Sequence, residues 1–361
     1  MEKNAKIYVA GHRGLVGSAI FRKLGQKGYN RILCKTHREL DLTDQYSVNA
    51  FFEKEKPEYV FLAAAKVGGI LGNSIYPADF IYTNLAIQTH VLHAAYRHSV
   101  KKLLFLGSSC IYPRDCPQPM KEEYLMTGPL ESTNSPYATA KIAGIEMCWS
   151  YNRQHGTQFM PVMPTNLYGV NDNFDLQSSH VLPALIRKFH LAKLAISKNW
   201  DAVNRDEQRF GPIPEDIRKA IGFPEAMEDS ADSPKVILWG TGSPMREFLY
   251  ADDLADACVR LMNQEIVPRD MPYSSFLLNI GTGVDQTIRD LAEITARAVG
   301  YTGEIIWDSS KPDGTPRKLL DISRIRDTGW QAQTDLETGI RKTYEWYVRE
   351  TGAESQKISD R

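Results

Sequence analysis

The chain has 361 residues, with 43 basic and 44 acidic side chains and a formal net charge of −1 at pH 7. This length exceeds that of most single domains, so we expect one large domain with a smaller second lobe. The balanced charge argues against nucleic acid as a partner, because nucleic-acid binders usually carry a basic surplus. The expected ligand is a small molecule.

The apolar runs and the cysteines predict the compartment. The sequence has no run of about 18 apolar residues, which a membrane-spanning helix would need, and the residues after Met1 are too polar for a signal peptide. The five cysteines are scattered and lack the paired spacing of metal ligands: Cys34, Cys110, Cys116, Cys148 and Cys258. We therefore expect a cytoplasmic protein with reduced thiols, no bound metal and no membrane contact.

A strand, a glycine-rich turn and a helix are predicted at the N-terminus. The apolar run 7–10 precedes Gly11, Gly14 and Gly17, and helical periodicity resumes at Ile20. Glycines at this spacing let the backbone approach a pyrophosphate, and the helix N-terminus supplies N–H donors. The pattern favours a dinucleotide site over its alternative, a plain turn.

The end of the second predicted strand, 31–34, indicates which nicotinamide cofactor is bound. Folds selective for NAD place Asp or Glu here, about 20 residues after the glycines. In this chain the strand is followed by Lys35, Thr36, His37 and Arg38. Together with Arg13, this cationic group favours NADP, because guanidinium groups bind a 2′-phosphate through paired hydrogen bonds. Solvated loop charges are the alternative.

Strands and helices continue to alternate through the first half of the chain. Strands are predicted at 59–65 and 102–107, with a long helix at 79–98 between them. This alternation predicts an α/β fold, a Rossmann-type doubly wound parallel sheet. Small residues at 66–70 leave room for a cofactor at the carboxyl edge of that sheet.

The next predicted helix carries a possible acid/base pair. It opens with Ser135 as N-cap and Pro136 in its first turn. Tyr137 and Lys141 lie four residues apart and share one face. A lysine ammonium stabilises phenolate and is expected to lower the tyrosine pKa from about 10, while Ser108 can add a second hydrogen bond to a carbonyl oxygen. The three residues predict chemistry on a carbonyl, with chance spacing as the alternative.

The same helix has apolar residues on more than one face. One face can pack on the sheet and another on a second subunit, so we expect a homodimer built on this helix and on the helix at 79–98. Burial of the whole helix inside its own domain is an equally good interpretation of the periodicity.

The second half of the chain predicts a smaller lobe. A strand at 159–163 ends the mainly NADP-binding part, 1–170, and 171–350 is expected to be mainly substrate-binding, before a polar tail at 351–361. A helix is predicted to begin at His180, and strands are predicted at 236–240 and 276–281. Between the helix that begins at His180 and the strand at 236–240, residues 196–234 are charged and rich in Pro and Gly. We expect this segment to be an insertion with a helix at 215–221.

Several motifs together resemble one family. Gly-x-x-Gly-x-x-Gly and Tyr-x-x-x-Lys are shared widely, but Ser-Ser-Cys-Ile-Tyr-Pro (108–113), Pro-Met-Arg-Glu-Phe (244–248) and Lys-Pro-Asp-Gly-Thr-Pro-Arg-Lys (311–318) are much more selective. With the segments at 62–69 and 163–169, they make the chain similar to GDP-sugar epimerase/reductases of the extended short-chain dehydrogenase/reductase family. The resemblance spans nearly the whole chain.

The resemblance implies an NADPH-dependent enzyme that epimerises C3 and C5 of GDP-4-keto-6-deoxy-D-mannose and reduces its C4 ketone. Ser108, Tyr137 and Lys141 would form the reductase triad, and Cys110 and His180 would exchange protons with the sugar. Each of these last two has an alternative, because Cys110 can be a small buried hydrophobe and His180 can simply cap its helix.

The resemblance also implies binding residues. Those expected at the cofactor are Gly11, His12, Arg13, Gly14, Leu15, Val16, Gly17, His37, Arg38, Asp41, Leu42, Ala64, Leu106, Gly107, Lys141, Pro164, Asn166, Leu167 and His180. Those expected at the GDP-sugar are Lys188, Trp239, Arg246 and Asp313, with the cationic ones on the pyrophosphate. Alternatively, Trp239 is a core residue and Lys188 a solvated helix charge.

Two departures leave other functions open. The family tends to have Arg-x-Arg where this chain has residues 35–38, and the insertion at 196–234 is longer than expected. The first departure leaves open which residue holds the 2′-phosphate. Because of the insertion, a 4-reductase of another GDP-4-keto sugar, such as a heptose, is an alternative, with or without epimerase activity. A non-enzymatic NADPH-sensing protein is a further alternative, although a sensor has no need of a proton donor.

Overall fold

The structure is a computed structural model, and it describes residues 1–224, 233–264 and 276–352. The described residues divide between two compact units. The first unit draws on 1–167, 247–284 and 319–333, and the second on 168–246, 285–318 and 334–361. The chain therefore leaves the first unit and returns to it twice.

The strands and helices are numbered along the chain. The strands are β1 (Ile7–Ala10), β2 (Ile32–Leu33), β3 (Tyr59–Leu62), β4 (Lys102–Leu106), β5 (Phe159–Pro164), β6 (Asn166–Tyr168), β7 (Lys235–Trp239), β8 (Met245–Tyr250), β9 (Leu278–Ile280), β10 (Asp285–Thr287), β11 (Glu304–Asp308) and β12 (Arg317–Lys318). The helices are α1 (Leu15–Gln26), α2 (Gln45–Glu55), α3 (Ile70–Ile75), α4 (Pro77–Arg97), α5 (Ser135–His155), α6 (Val181–Ile196), α7 (Trp200–Phe210), α8 (Glu215–Ala220), α9 (Ala251–Asn263), α10 (Ile288–Val299), α11 (Ser323–Asp327) and α12 (Leu336–Thr351).

A six-stranded parallel sheet forms the centre of the first unit, in the order β2-β1-β3-β4-β5-β9. Every residue of β1, β3, β4 and β5 is buried, which explains why these strands are continuous apolar runs. The order reverses between β1 and β3, the switch point where such sheets bind dinucleotides. The predicted doubly wound α/β fold is confirmed.

The start of α5 differs from its prediction. The N-cap is Asn134, not Ser135, because Ser135 is already the first helical residue and Asn134 O accepts the amide of Ala138 at 2.9 Å. Pro136 lies in the first turn as predicted, where its missing N–H costs nothing.

The second unit contains the predicted insertion. The structure has a helix, α8, where one was expected. It also has a further helix, α7, which was not predicted because the segment is highly charged. Arg187 of α6 donates to Asp206 Oδ1 of α7 at 2.8 Å, with both side chains fully buried, and Tyr347 also donates to Asp206. This buried network fixes α7 on α6. Residues 225–232 of the insertion and 353–361 of the polar tail lie outside the described residues.

Two short parallel pairings complete the second unit. β7 pairs with β11 from Lys235 opposite Glu304 to Trp239 opposite Asp308, and β12 pairs with the first two residues of β8. Nowhere in the described ranges is a helix long and apolar enough to cross a membrane.

Candidate active site

The glycine turn after β1 is too crowded for side chains. Gly11 has a φ of +85°, and a Cβ there would lie 2.8 Å from the amide nitrogen of Ala64. A Cβ on Gly17 would overlap the backbone of Gly11. The turn closes with a hydrogen bond from Gly14 N to Gly11 O at 3.0 Å. This compactness brings the N-terminus of α1 to the end of β1.

The turn fits a dinucleotide pyrophosphate. The first N–H groups of α1 have no partners within the helix and point out of its N-terminus. His12 Nδ1 is buried and has no hydrogen-bond partner among the described residues. Burial and the charge of Arg13 lower the pKa of His12, so its imidazole is neutral at pH 7. A bound polar group would satisfy both sets of atoms.

The basic residues after β2, together with Arg13, differ in whether an acidic side chain lies beside them. Lys35 Nζ lies 3.7 Å from Glu39, and His37 Nδ1 lies 3.8 Å from Asp41. Arg13 and Arg38 are exposed and make no hydrogen bond or ion pair with the part of the chain that the structure describes. The two arginines are therefore the groups left to bind a 2′-phosphate.

The remaining expected cofactor residues divide between strand ends and the core. Ala64, Leu106, Gly107, Pro164, Asn166 and Leu167 end or follow β3, β4 and β5, whose carboxyl ends share one edge of the sheet. Asn166 Nδ2 donates to Glu247 O at 2.8 Å, which fixes this side chain. Leu42 is buried in the apolar core, and Asp41 accepts from the amide of Thr43, so both act on the shape of the β2 loop.

Ser108 and Tyr137 lie side by side at the end of β4. Ser108 follows Gly107, the first residue after this strand, and its Oγ accepts the amide of Cys110 at 3.2 Å. A hydrogen bond between Tyr137 and Ser108 favours the phenolate, but burial has the larger effect and raises the pKa of Tyr137 above its usual value. Tyr137 is therefore a protonated phenol at neutral pH.

Lys141 is held by the backbone of β4. Its Nζ donates to Leu106 O at 2.7 Å and lies 5.7 Å from the centre of the Tyr137 ring. Burial lowers the pKa of Lys141 to about 8. The expectation that Lys141 brings the pKa of Tyr137 below 10 is wrong for this geometry, because burial of the phenol, the largest effect on its pKa, raises it.

A glycine in α5 explains how Lys141 reaches the strand. A Cβ on Gly144 would lie 2.8 Å from Cε1 of Phe105 and 2.9 Å from Oε1 of Gln88. Because Gly144 has no side chain, α5 packs directly on the Phe105 ring. One turn earlier on the same face, Lys141 then meets the carbonyl of Leu106.

The two predicted proton-exchange residues belong to different units. Cys110 is a half-buried free thiol in the first unit, and a charge on it acts on the pKa of Tyr137. His180 is the N-cap residue of α6 in the second unit, but its side chain makes no capping hydrogen bond. His180 has an exposed surface, but the protein atoms around its imidazole partly exclude water, and this desolvation lowers its pKa. The simple helix-cap alternative for this side chain is not supported.

A cavity of about 230 Å³ lies within the second unit. Lys188 and Trp239 both line it, and the indole is 64% exposed, so Trp239 is not a core residue. Arg246 and Asp313 do not line the cavity. Asp313 accepts from Thr241 N at 2.9 Å and from Thr241 Oγ1 at 2.7 Å, which braces the turn after Trp239.

Sequence reasoning missed three acidic residues that the structure singles out. Glu247, fully buried, accepts the amides of Gly283 and Leu320 and so ties the segments 247–284 and 319–333 of the first unit together. Asp172 has its pKa raised to about 7 by burial. Asp216 of α8 lines the cavity. Only Glu247 lay in a recognised motif; the other two had no signal beyond their acidity.

Comparisons with known proteins agree with this geometry. The NAD dependent epimerase/dehydratase family matches residues 7–272. GDP-L-fucose synthase 1 of Arabidopsis thaliana is 52% identical over 96% of this chain and 94% of its own length. GDP-L-fucose synthase of Escherichia coli is 47% identical over 95% and 96%. A solved GDP-mannoheptose C4 reductase from Campylobacter jejuni with NADP bound is 41% identical, with a TM-score of 0.81 over 96% of this chain and 99% of that one.

Proposed function

Because the chain belongs to the NAD dependent epimerase/dehydratase family, we propose that it is a GDP-sugar epimerase/reductase with the activity of a GDP-L-fucose synthase. It converts GDP-4-keto-6-deoxy-D-mannose to GDP-L-fucose with NADPH. The single observation that carries this function is the proximity of a free thiol, Cys110, to the carbonyl-binding pair of Ser108 and Tyr137. A plain reductase needs the pair alone.

Epimerisation uses the acidity of the carbons beside the C4 ketone. Hydrogen bonds from Ser108 and Tyr137 to the C4 oxygen stabilise the enolate that forms when a proton leaves C3 or C5. Inverting either centre requires removal of the proton on one face and its return on the other. Cys110 and His180 supply a thiol and a neutral imidazole for these transfers.

Reduction completes the reaction at the same carbonyl. When bound, NADPH supplies hydride to C4. Tyr137 donates its phenolic proton to the C4 oxygen, so the ketone becomes an alcohol and the tyrosine a phenolate. The Lys141 ammonium, fixed on Leu106 O, stabilises that phenolate until a proton returns from solvent.

The two ligands draw on different parts of the chain. The glycine turn holds the cofactor pyrophosphate, and Arg13 with Arg38 holds the 2′-phosphate, since both guanidinium groups are unpaired in the described residues. Lys188 and Trp239 hold the nucleotide part of the GDP-sugar in the cavity of the second unit. Arg246 and Asp313 serve the rest of the substrate, Arg246 on the pyrophosphate and Asp313 through the turn that it braces.

A second candidate keeps the fold and changes the sugar. The solved neighbour with a TM-score of 0.81 acts on a GDP-mannoheptose at C4. A GDP-4-keto-heptose is therefore the alternative substrate. It fits less well, because the curated fucose synthases share more of the sequence, 52% and 47% against 41%.

Assembly and location are part of the proposal. α4 and α5 pack on one another, and the outer side of α4 leaves Tyr82 69% exposed, which suits a homodimer formed by these two helices. Sedimentation of the purified protein tests this, and a monomer at micromolar concentration contradicts it. All five cysteines are free thiols, which suits the reducing cytoplasm.

The function is tested with GDP-4-keto-6-deoxy-D-mannose and NADPH in deuterated water. We expect oxidation of NADPH and deuterium at both C3 and C5 of the product, located by NMR. The Cys110→Ser variant should bind NADPH normally but exchange these protons about 100-fold more slowly. Oxidation without deuterium would indicate a plain 4-reductase. Bound NADPH without oxidation would redirect the search to a heptose substrate or to a sensor.

A further inference from the structure

The inserted segment contributes one wall of the cavity in the second unit. Its helix α8 presents three lining residues, Asp216, Ile217 and Ala220, and Ile221 directly after the helix adds a fourth. The opposite side comes from β7, from Asp308 at the end of β11 and from Lys311 after it. The insertion therefore shares a cavity with Lys188 and Trp239 and is more than an added surface segment.

Contacts at both ends hold α8 in place. Arg218 donates to Glu207 Oε2 at 2.6 Å and to Ile213 O at 3.2 Å, and Glu207 accepts the amide of Ile213 at 2.9 Å. The Arg218 guanidinium lies 4.6 Å from the ring centre of Phe223, just beyond the helix. The cavity wall is therefore fixed before any ligand arrives.

The cavity combines a flat apolar surface with adjacent opposite charges. The exposed indole of Trp239 offers a stacking face, and Ile217 and Ile221 add apolar contacts. The carboxylate of Asp216 is exposed to the cavity and makes no hydrogen bond within the described ranges. It acts electrostatically on Lys188, which lines the same cavity.

This arrangement matches the edge of guanine. Guanine presents an acceptor, O6, directly beside two donors, N1–H and the 2-amino group, whereas adenine presents a donor beside an unprotonated N1. We propose that Asp216 of the inserted helix reads the base, accepting hydrogen bonds from N1–H and the 2-amino group while Lys188 donates to O6. Asp216 is then a specificity-determining residue. This inference rests on the proposed function only in taking GDP as the carrier.

The assignment refines the expectation for Lys188, which the sequence placed on the pyrophosphate. A carboxylate beside that lysine would repel a pyrophosphate but complements a base that has an acceptor next to its donors. Arg246, which lies outside the cavity lining, and Lys311, whose Nζ lies 5.6 Å from the centre of the Trp239 ring, are then the cations for the pyrophosphate.

The test is calorimetric binding of four nucleoside diphosphates without sugar or turnover: GDP, IDP, ADP and XDP. IDP differs from GDP only in lacking the 2-amino group. We expect the wild-type protein to bind GDP about tenfold more tightly than IDP, the value of one hydrogen bond to a charged group. In Asp216→Asn this preference should vanish, and XDP should gain affinity because the new amide donates to its C2 carbonyl.

Glu215→Gln is the matched control. It removes the same charge one position earlier on α8, where Glu215 pairs with Lys219 at 3.9 Å and does not line the cavity. It should keep the wild-type ratio of GDP to IDP. A GDP to IDP ratio that is the same in Asp216→Asn and the wild type overturns the inference, and so does equal binding of GDP and ADP by the wild type.

This outcome is separable from that of the proposed function. NADPH binding measured by fluorescence shows that each variant is folded. If the protein turns over the keto sugar but Asp216→Asn keeps the wild-type base preference, the proposed enzyme activity stands and the role of Asp216 in base recognition is rejected. If Asp216→Asn changes the base preference but the protein does not turn over the keto sugar, the role of Asp216 stands and the proposed sugar substrate is rejected.

Discussion

The two units differ in how their functional side chains are held. In the first unit, the reacting groups are half-buried or buried, and Lys141, only 3% exposed, is fixed by a backbone atom because it donates to Leu106 O. In the second unit, the recognition groups are open, with Trp239 64% exposed and Asp216 free of hydrogen bonds to the described residues. Precise geometry is required where bonds are made, whereas recognition tolerates groups that order on binding. Substrate preference can thus change in the second unit without disturbing the chemistry in the first.

The largest effect should come from removing the proton donor of the first unit. Tyr137→Phe deletes the hydroxyl beside Ser108 and leaves the ring, so α5 and the glycine turn keep their packing. We expect reduction of the C4 ketone to fall by about 1,000-fold. NADPH binding, measured by fluorescence titration, should not change. Wild-type turnover in this variant would remove Tyr137 as the donor.

The next largest effect is the pH dependence of the reduction rate, which tests the role of Lys141. Its pKa is lowered to about 8 by burial, so its charge is present below pH 8 and lost above it. Reduction should therefore fall about tenfold per pH unit once the pH exceeds 8, because a neutral lysine no longer stabilises the Tyr137 phenolate. The pH profile of kcat for reduction checks this. In Lys141→Arg, whose guanidinium stays charged, the fall should move to higher pH.

Unfolding cannot explain such a fall. Between pH 8 and the ordinary lysine pKa of about 10.4, the unfolded chain keeps a proton on this lysine that the folded chain has released. The contribution of Lys141 to the free energy of unfolding therefore rises with pH over this range. A thermal melt at each pH separates the two effects, and a loss of folding that parallels the loss of rate would contradict our account.

The first unit could be predicted from the sequence far better than the second. Glycine spacing, apolar strands and Tyr137 with Lys141 are local patterns, and the parallel sheet brings their strand ends to one edge. The pKa of Tyr137 could not be predicted, since it depends on burial that the pattern does not encode. In the second unit, the Arg187–Asp206 pair joins two helices through buried charges that have no periodicity to reveal them. Asp216 becomes significant only once α8 is placed against β7.

The smallest effect should come from the second unit, and it completes the contrast. Trp239→Ala removes a stacking face from the cavity without touching the reacting groups, so KM for the GDP-sugar should rise roughly fivefold, the value of one aromatic stack, while kcat stays within twofold. Tyr46→Ala is the control, because Tyr46 is 82% exposed and does not line the cavity. Steady-state kinetics at saturating NADPH give both constants. Since a group that binds substrate and transition state equally changes KM alone, a fall in kcat that matched the rise in KM would mean that Trp239 also orients the sugar for reaction. The separation of recognition from chemistry would then fail at this residue.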